Sequence, residues 1–234
     1  MIIIGNQGAT AERSAHTLAG IREYKKHGVA MLTLSVRLTR DKKLVLLSDT
    51  TLDRTHKLPL RVKACTLKEL QKRTSGSRNP ICTLDEALKT ALPNSIVVIE
   101  LKDSGAGLKV LELLTNIAHR EHKDNVMLAS SSIRELKRVR GLHKKIKLCM
   151  IMKSNPFSFV AWEKTIGFTA VAFHRLHLNS LAISTAHKLD IFTYTYTVNR
   201  QSAIDSLARQ KLDAIVTDYP LKMNASLKSD TQSK

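Results

Sequence analysis

The side chains of this 234-residue chain that combine a reactive type with a promising place mostly follow short apolar runs. The first run, Ile2–Ile4, leads into Asn6-Gln7-Gly8. The two amides donate and accept hydrogen bonds, so Asn6 can hold a phosphate oxygen, but neither amide shuttles a proton. Glu100 and Lys102 close a later run and are spaced to form an ion pair. His16 falls in the loop after the first run, and His174 and His177 follow the run 170–173. A pair built from these imidazoles would offer general acid–base chemistry, against the plainer reading of loop histidines at a surface. Ser130-Ser131-Ser132 ends the run 126–129, where it either donates to an oxyanion or caps the next helix.

The elements that must position these groups follow from the pattern. Apolar, β-rich runs occupy Ile2–Ile4, Met31–Val36, Ile96–Leu101, Val126–Ala129, Ile146–Ile151, Ala170–Phe173, Ile191–Val198 and Ala214–Thr217. Helical stretches separate most of them: Leu18, Ile21 and Tyr24 share a face that Gly28 terminates, and Thr66/Glu69 and Thr83/Glu86 form capping boxes. Eight strands alternating with helices at this length predict an α/β fold, a (β/α)8 barrel, with a doubly wound sheet as the alternative. Leu44–Leu47 follows the second strand too closely for a crossover helix, so it is expected to return as a hairpin. A two-residue turn at Asp41-Lys42 would place Ser35 opposite Ser48. The barrel domain is expected to span residues 1–221, with the hairpin and a small, polar and basic insertion at about 37–80 after the second strand, and 222–234 as a flexible tail.

Composition narrows the partners. The net charge is +18, from 38 Lys and Arg against 20 Asp and Glu, which favours phosphate-bearing molecules or anionic surfaces. Aromatic residues make up 4%, too few for stacking recognition of single-stranded nucleic acid. Seven cations, Arg134, Lys137, Arg138, Arg140, Lys144, Lys145 and Lys147, crowd one segment beside the single acid Glu135. They form either a solvated helix face or a docking face for lipid headgroups or nucleic acid. Cys65, Cys82 and Cys149 show no metal-ligand spacing and read as reduced, apolar residues. No run is long enough to span a membrane and no signal peptide is evident, so a cytoplasmic protein is expected. Asn224-Ala225-Ser226 is read as a chance sequon.

The segments VRLTRDKKLVLLSDTTLDRT, VVIELK, YTVN and DAIVTDYP resemble, in order and spacing, those of the glycerophosphodiester phosphodiesterases, from Ile2 to Pro220. That resemblance implies a (β/α)8 barrel with an insertion after its second strand, and metal-assisted hydrolysis of phosphodiesters by two histidines and carboxylates holding Mg²⁺ or Ca²⁺. It also shows what differs here. Asn6-Gln7-Gly8 stands in place of the family's His-Arg-Gly, Ala15-His16-Thr17 in place of Glu-Asn-Thr, and Ser48 in place of the second histidine. Thr33 and Ser35 stand where the family has two metal carboxylates; of the metal set only Glu100 remains, followed by Lys102. Asn6, Gln7 and Ser48 are thus vestigial catalytic positions, and Thr33, Ser35 and Glu100 vestigial metal positions. Neutral hydroxyls and one carboxylate suit Mg²⁺ or Ca²⁺ poorly, so no metal or other cofactor is expected. Asn6, Glu100, Lys102, Ser130 and Asn199 remain as candidates for binding an anion. The expectation is a pseudoenzyme of binding or regulatory role, with a phosphate-bearing small molecule, an anionic surface or a protein as partner. The alternatives are an active phosphoric diester hydrolase rebuilt around His16 or Asp49, acting on glycerophosphodiester or lysophospholipid-type substrates, and a basic barrel that docks on membrane or nucleic acid.

Overall fold

A computed structural model describes residues 1–8, 15–92, 94–115 and 122–223. Its strands are β1 (Ile2–Gly5), β2 (Met31–Leu38), β3 (Leu44–Leu46), β4 (Ile96–Leu101), β5 (Val126–Ser130), β6 (Lys147–Met152), β7 (Ala170–His174), β8 (Phe192–Tyr196) and β9 (Ala214–Thr217). Every neighbouring pair is parallel except β2–β3, and β1 pairs with both β9 and β2. Eight parallel strands therefore close into the expected (β/α)8 barrel, with β3 an antiparallel addition to the end of β2. The strands begin and end within a residue of the apolar runs, except that β2 runs two residues beyond its run and β8 is shorter than its run at both ends.

The helices are α1 (Leu18–Lys26), α2 (Asp53–His56), α3 (Leu67–Thr74), α4 (Leu84–Ala91), α5 (Ala106–Leu114), α6 (Ile133–Leu142), α7 (Val160–Ile166), α8 (Ser180–Lys188) and α9 (Gln201–Arg209). Both capping boxes form at the starts of α3 and α4. Thr17 caps α1 by accepting from the Gly20 amide, and Ser132 caps α6 by accepting from Glu135.

Strand periodicity sorts the core into two layers. Ile4, Met31, Val98, Met127, Ala129, Cys149, Ala170, Ala172, Tyr194, Ala214 and Val216, drawn from all eight barrel strands, pack together along the axis. The alternate strand residues, such as Leu32, Leu34, Val97, Ile99 and Leu128, pack outward with the helices. Because side chains alternate, the next inward position after each inner-core residue arrives at the C-terminal mouth.

The hairpin register differs from the expected one. The pairs are Val36–Leu46, Arg37–Val45 and Leu38–Leu44. The loop is three residues long: the Thr39 amide donates to Lys43 O at 3.0 Å, the Lys42 amide donates to Thr39 O at 3.0 Å, and Lys42 takes φ +59°. This is a turn followed by one left-handed residue, and it shifts the pairing by one. Ser35 O consequently accepts from the Leu47 amide, and Ser48 lies one step beyond.

The insertion is also less polar in its packing than its composition. Leu52, Val62 and Leu70 are buried against Val45, Leu47 and Ile81, a small core of its own beside the mouth. The expected tail at 222–234 lies, apart from its first two residues, outside the described residues, as does the 224–226 sequon. Truncating Leu52, which is fully buried, is expected to cost about 2–5 kcal/mol. Urea denaturation of Leu52→Ala checks this; a change below about 1 kcal/mol would mean that the insertion packs loosely.

Candidate functional site

At the mouth, β1, β2 and β4 deliver Asn6, Thr33, Ser35, Glu100 and Lys102, each two or four residues past an inner-core side chain. Asn6, Gln7, Thr33, Glu100, Lys102 and Tyr196 line a cavity of about 170 Å³ whose floor is inner core. A second cavity, of about 320 Å³, lies beside it across Glu100 and Lys102 and is bordered by Ser48, Ser130 and Lys153. A third, of about 300 Å³, runs from Gln7 past His16 and Ser48 to Arg54 and His56.

Glu100 is the centre of this arrangement. Its Oε1 accepts from Lys102 Nζ at 2.6 Å, and its Oε2 accepts from Ser35 Oγ at 2.9 Å. Both carboxylate oxygens are thus engaged, one by a full positive charge. Thr33 Oγ1 accepts from the Gln7 amide at 3.0 Å and donates to Asn6 Oδ1 at 3.3 Å. The hard, anionic oxygen cage that a divalent ion requires does not fit this donor set, since an ammonium already neutralises its one carboxylate.

Asn6 and Asn199 converge on Asp218, in the segment DAIVTDYP. Asn6 Nδ2 donates to Asp218 Oδ1 and Asn199 Nδ2 to Asp218 Oδ2, both at 2.7 Å. Asn199 Oδ1 accepts from Thr217 Oγ1 and the Asp218 amide. These amides serve a carboxylate, which opposes an anion next to them. Asp218 was traceable in the sequence as the inward position two beyond Val216. Ser130 is out of phase with inward-facing Ala129: its hydroxyl donates to Leu101 O at 3.4 Å and accepts from the Ser132 amide at 3.1 Å.

The histidines divide. His174 and His177 lie 5.6 Å apart with their ring planes tilted by 43°, His174 is edge-on to Tyr196, and the two histidines border none of the three cavities. His16 is buried, with Nε2 3.0 Å from Ser48 Oγ and no partner for Nδ1 among the described residues. Burial, then Lys102 and Arg54, hold its pKa down to about 3, Asp49 alone opposing, so the ring is neutral at physiological pH. Asp49 turns away to Arg54, Oδ2 to Nε at 2.8 Å. The imidazole beside Ser48 thus comes from the loop after β1, not from a position that matches the family's histidines, in a contact across 32 residues of sequence. At the cavity floor, burial pushes Cys149 up to about 12 and Tyr194 well above its ordinary value, so neither supplies an anionic nucleophile.

Sequence reasoning also missed Arg37, whose Nη1 donates to buried Asp103 at 2.8 Å and whose Nε and Nη2 donate to Ser48 O at 3.0 and 2.7 Å. The basic segment of α6 is largely engaged. Arg140 donates to the carbonyls of Ile166, Gly167, His143 and Lys144, Arg138 pairs with Glu135, Lys137 lies 3.9 Å over the Trp162 ring, and Lys147 donates to Asp124 O. Arg134, Lys144 and Lys145 are left without side-chain hydrogen bonds or ion pairs among the described residues.

His16 sets a pH test. Its folded pKa lies below its unfolded 6.5, so from 6.5 down to about 3 the unfolded chain binds a proton that the folded chain refuses. Its contribution to stability is present above pH 6.5 and is lost as the pH falls, by up to about 1.4 kcal/mol per pH unit. Urea denaturation from neutral pH to about pH 5 should show wild type losing stability more steeply than His16→Gln. Parallel slopes would overturn the assignment.

Comparisons with known proteins agree over nearly the whole chain. The profile of the glycerophosphoryl diester phosphodiesterase family matches residues 7–222. YhdW of Bacillus subtilis, provisionally named a glycerophosphodiester phosphodiesterase, is 29% identical over 94% of this chain and 95% of its own. A glycerophosphodiester phosphodiesterase of Caldanaerobacter subterraneus is 23% identical over 94% of each chain. Among solved structures, an Oleispira antarctica phosphodiesterase in complex with the product sn-glycerol-3-phosphate superposes with a TM-score of 0.88 at 20% identity, covering 97% of both chains.

Proposed function

This chain belongs to the glycerophosphoryl diester phosphodiesterase family, and we propose that it binds a phosphate-bearing small molecule at the barrel mouth without performing the family's metal-assisted hydrolysis. The observation that carries this reading is the closure of Glu100 by Lys102 and Ser35. A divalent ion would supply charge stabilisation to a transferring phosphoryl group. Here the matching donors hold one another instead. The positions matching the family's two histidines, Asn6 and Ser48, carry side chains that do not titrate near neutral pH.

Binding of an anion is supported by what remains. Lys102 Nζ is partly exposed beside the larger cavity. Lys153, two residues beyond inward-facing Ile151, borders the same cavity and makes no side-chain hydrogen bond or ion pair among the described residues. Hydroxyls of Ser48, Ser104 and Ser131 surround it. The three carboxylates that also border the cavity, Glu100, Asp103 and Glu135, are paired with Lys102, Arg37 and Arg138, so the unpaired charge it presents is that of Lys153, which suits a phosphate monoester or diester. The Oleispira enzyme's product complex points to glycerol phosphate as the first molecule to try. The role is binding or regulation, in a chain whose described helices include none long and apolar enough to cross a membrane.

Calorimetry with sn-glycerol 3-phosphate in the presence of a chelator tests this. Binding is expected, weakened about tenfold or more in Lys102→Ala through loss of a charged hydrogen bond. Release of alcohol from a glycerophosphodiester with added Mg²⁺ or Ca²⁺, abolished by Glu100→Ala, would overturn the reading.

A further inference from the structure

We propose that Ser48 is a nucleophile toward phosphodiesters, with His16 as its base, and that it is esterified once rather than turning over. The proposal rests on the reading that the mouth binds phosphate, and adds a covalent step on a serine to it.

The geometry places each component in order of access. Ser48 is half-buried and borders two cavities, so its hydroxyl is reachable from the mouth. His16 is buried behind it, Nε2 3.0 Å from Oγ. With its proton on Nδ1, the neutral ring presents a lone pair to the serine hydroxyl. The nucleophile's backbone is fixed, because Arg37 grips the Ser48 carbonyl through two nitrogens and is itself anchored on Asp103. Lys102 and Lys153, on the side of the larger cavity, supply positive charge for the phosphate oxygens. Burial is the main reason that His16 stays unprotonated, and it persists when a ligand arrives; a bound phosphate anion offsets the two lesser causes, the charges of Lys102 and Arg54.

The step is an in-line displacement. Ser48 Oγ forms a bond to phosphorus, the serine proton passes to His16 Nε2, leaving an imidazolium beside the anionic phosphodiester, and the P–O bond opposite Ser48 breaks, its electron pair going to the leaving group. His16 lies behind the nucleophile, so it cannot protonate a group departing on the far side. The substrates are therefore phosphodiesters whose leaving group departs as a stable anion. The product is a seryl phosphodiester carrying the remaining substituent.

Turnover stops there for a geometric reason. Water would have to attack from the side opposite Ser48, beyond the reach of His16. The carboxylates bordering the larger cavity are already held: Glu100 by Lys102 and Ser35, Asp103 by Arg37, the Leu38 amide and Lys63, and Glu135 by the Gly105 and Gly107 amides and Arg138. None is free to activate that water.

The test uses bis(4-nitrophenyl) phosphate with chelator present. The expected result is a burst of about one nitrophenolate per chain, with an intact-mass gain of one nitrophenyl phosphoryl group that peptide mapping places on Ser48. Ser48→Ala should abolish the burst with its circular dichroism unchanged, and His16→Gln should slow it by about 10²-fold, the low end for a general base because the imidazole is weakly basic. Adduct on another residue, a burst that survives Ser48→Ala, or continued turnover would overturn the proposal. Absence of any burst from a protein that binds sn-glycerol 3-phosphate would overturn it while leaving the binding reading standing; loss of that binding as well would remove both.

Discussion

The alternation of side chains along eight closed parallel strands governs everything at the mouth. Each strand offers every second residue to the axis, and the last inward residue of one layer fixes which residue comes next. Ile4 on β1 commits Asn6, Met31 on β2 commits Thr33 and Ser35, Val98 on β4 commits Glu100 and Lys102, and Val216 on β9 commits Asp218. The barrel cannot exchange these positions without turning its core outward. Evolution of the site is confined to changing the residue types at fixed points.

At those points the residue types form a self-satisfied network. Glu100 takes its two partners from β2 and from its own strand, while Asp218 takes Asn6 from the end of β1 and Asn199 from the loop after β8. Each carboxylate that might have held an ion is held by protein donors. Among the described residues at the mouth, the charge left without a hydrogen bond or ion pair is positive and lies to one side, at Lys153.

Residues outside the inward-facing strand positions add the rest. His16 and Arg37 meet Ser48 from opposite directions, one bonded to its hydroxyl and the other to its carbonyl. Glu135, buried on α6, caps the turn after β4 through the Gly105 and Gly107 amides and so steadies the strand that carries Glu100. The cations of α6 that looked like a docking face act mainly on their own surroundings, with Arg140 satisfying four carbonyls at the turns into β6 and β7.

The barrel, its strand limits, both capping boxes and the inward march of Asn6, Thr33, Ser35, Glu100 and Lys102 were legible in the sequence, because periodicity and capping are local and repeat along the chain. The hairpin register was not, since one left-handed residue at Lys42 decides it and nothing in Asp41-Lys42-Lys43 forces the choice. Nor was the insertion's small core, whose few apolar residues are spaced among cations. The contact between His16 and Ser48 lay furthest from reach. Sequence supplied an imidazole in one loop and a hydroxyl after another. Only the closure of β1 against β2, and the return of β3 along β2, brought them within a hydrogen bond, since which loops meet at the mouth of a barrel is set by strand order and not by distance along the chain.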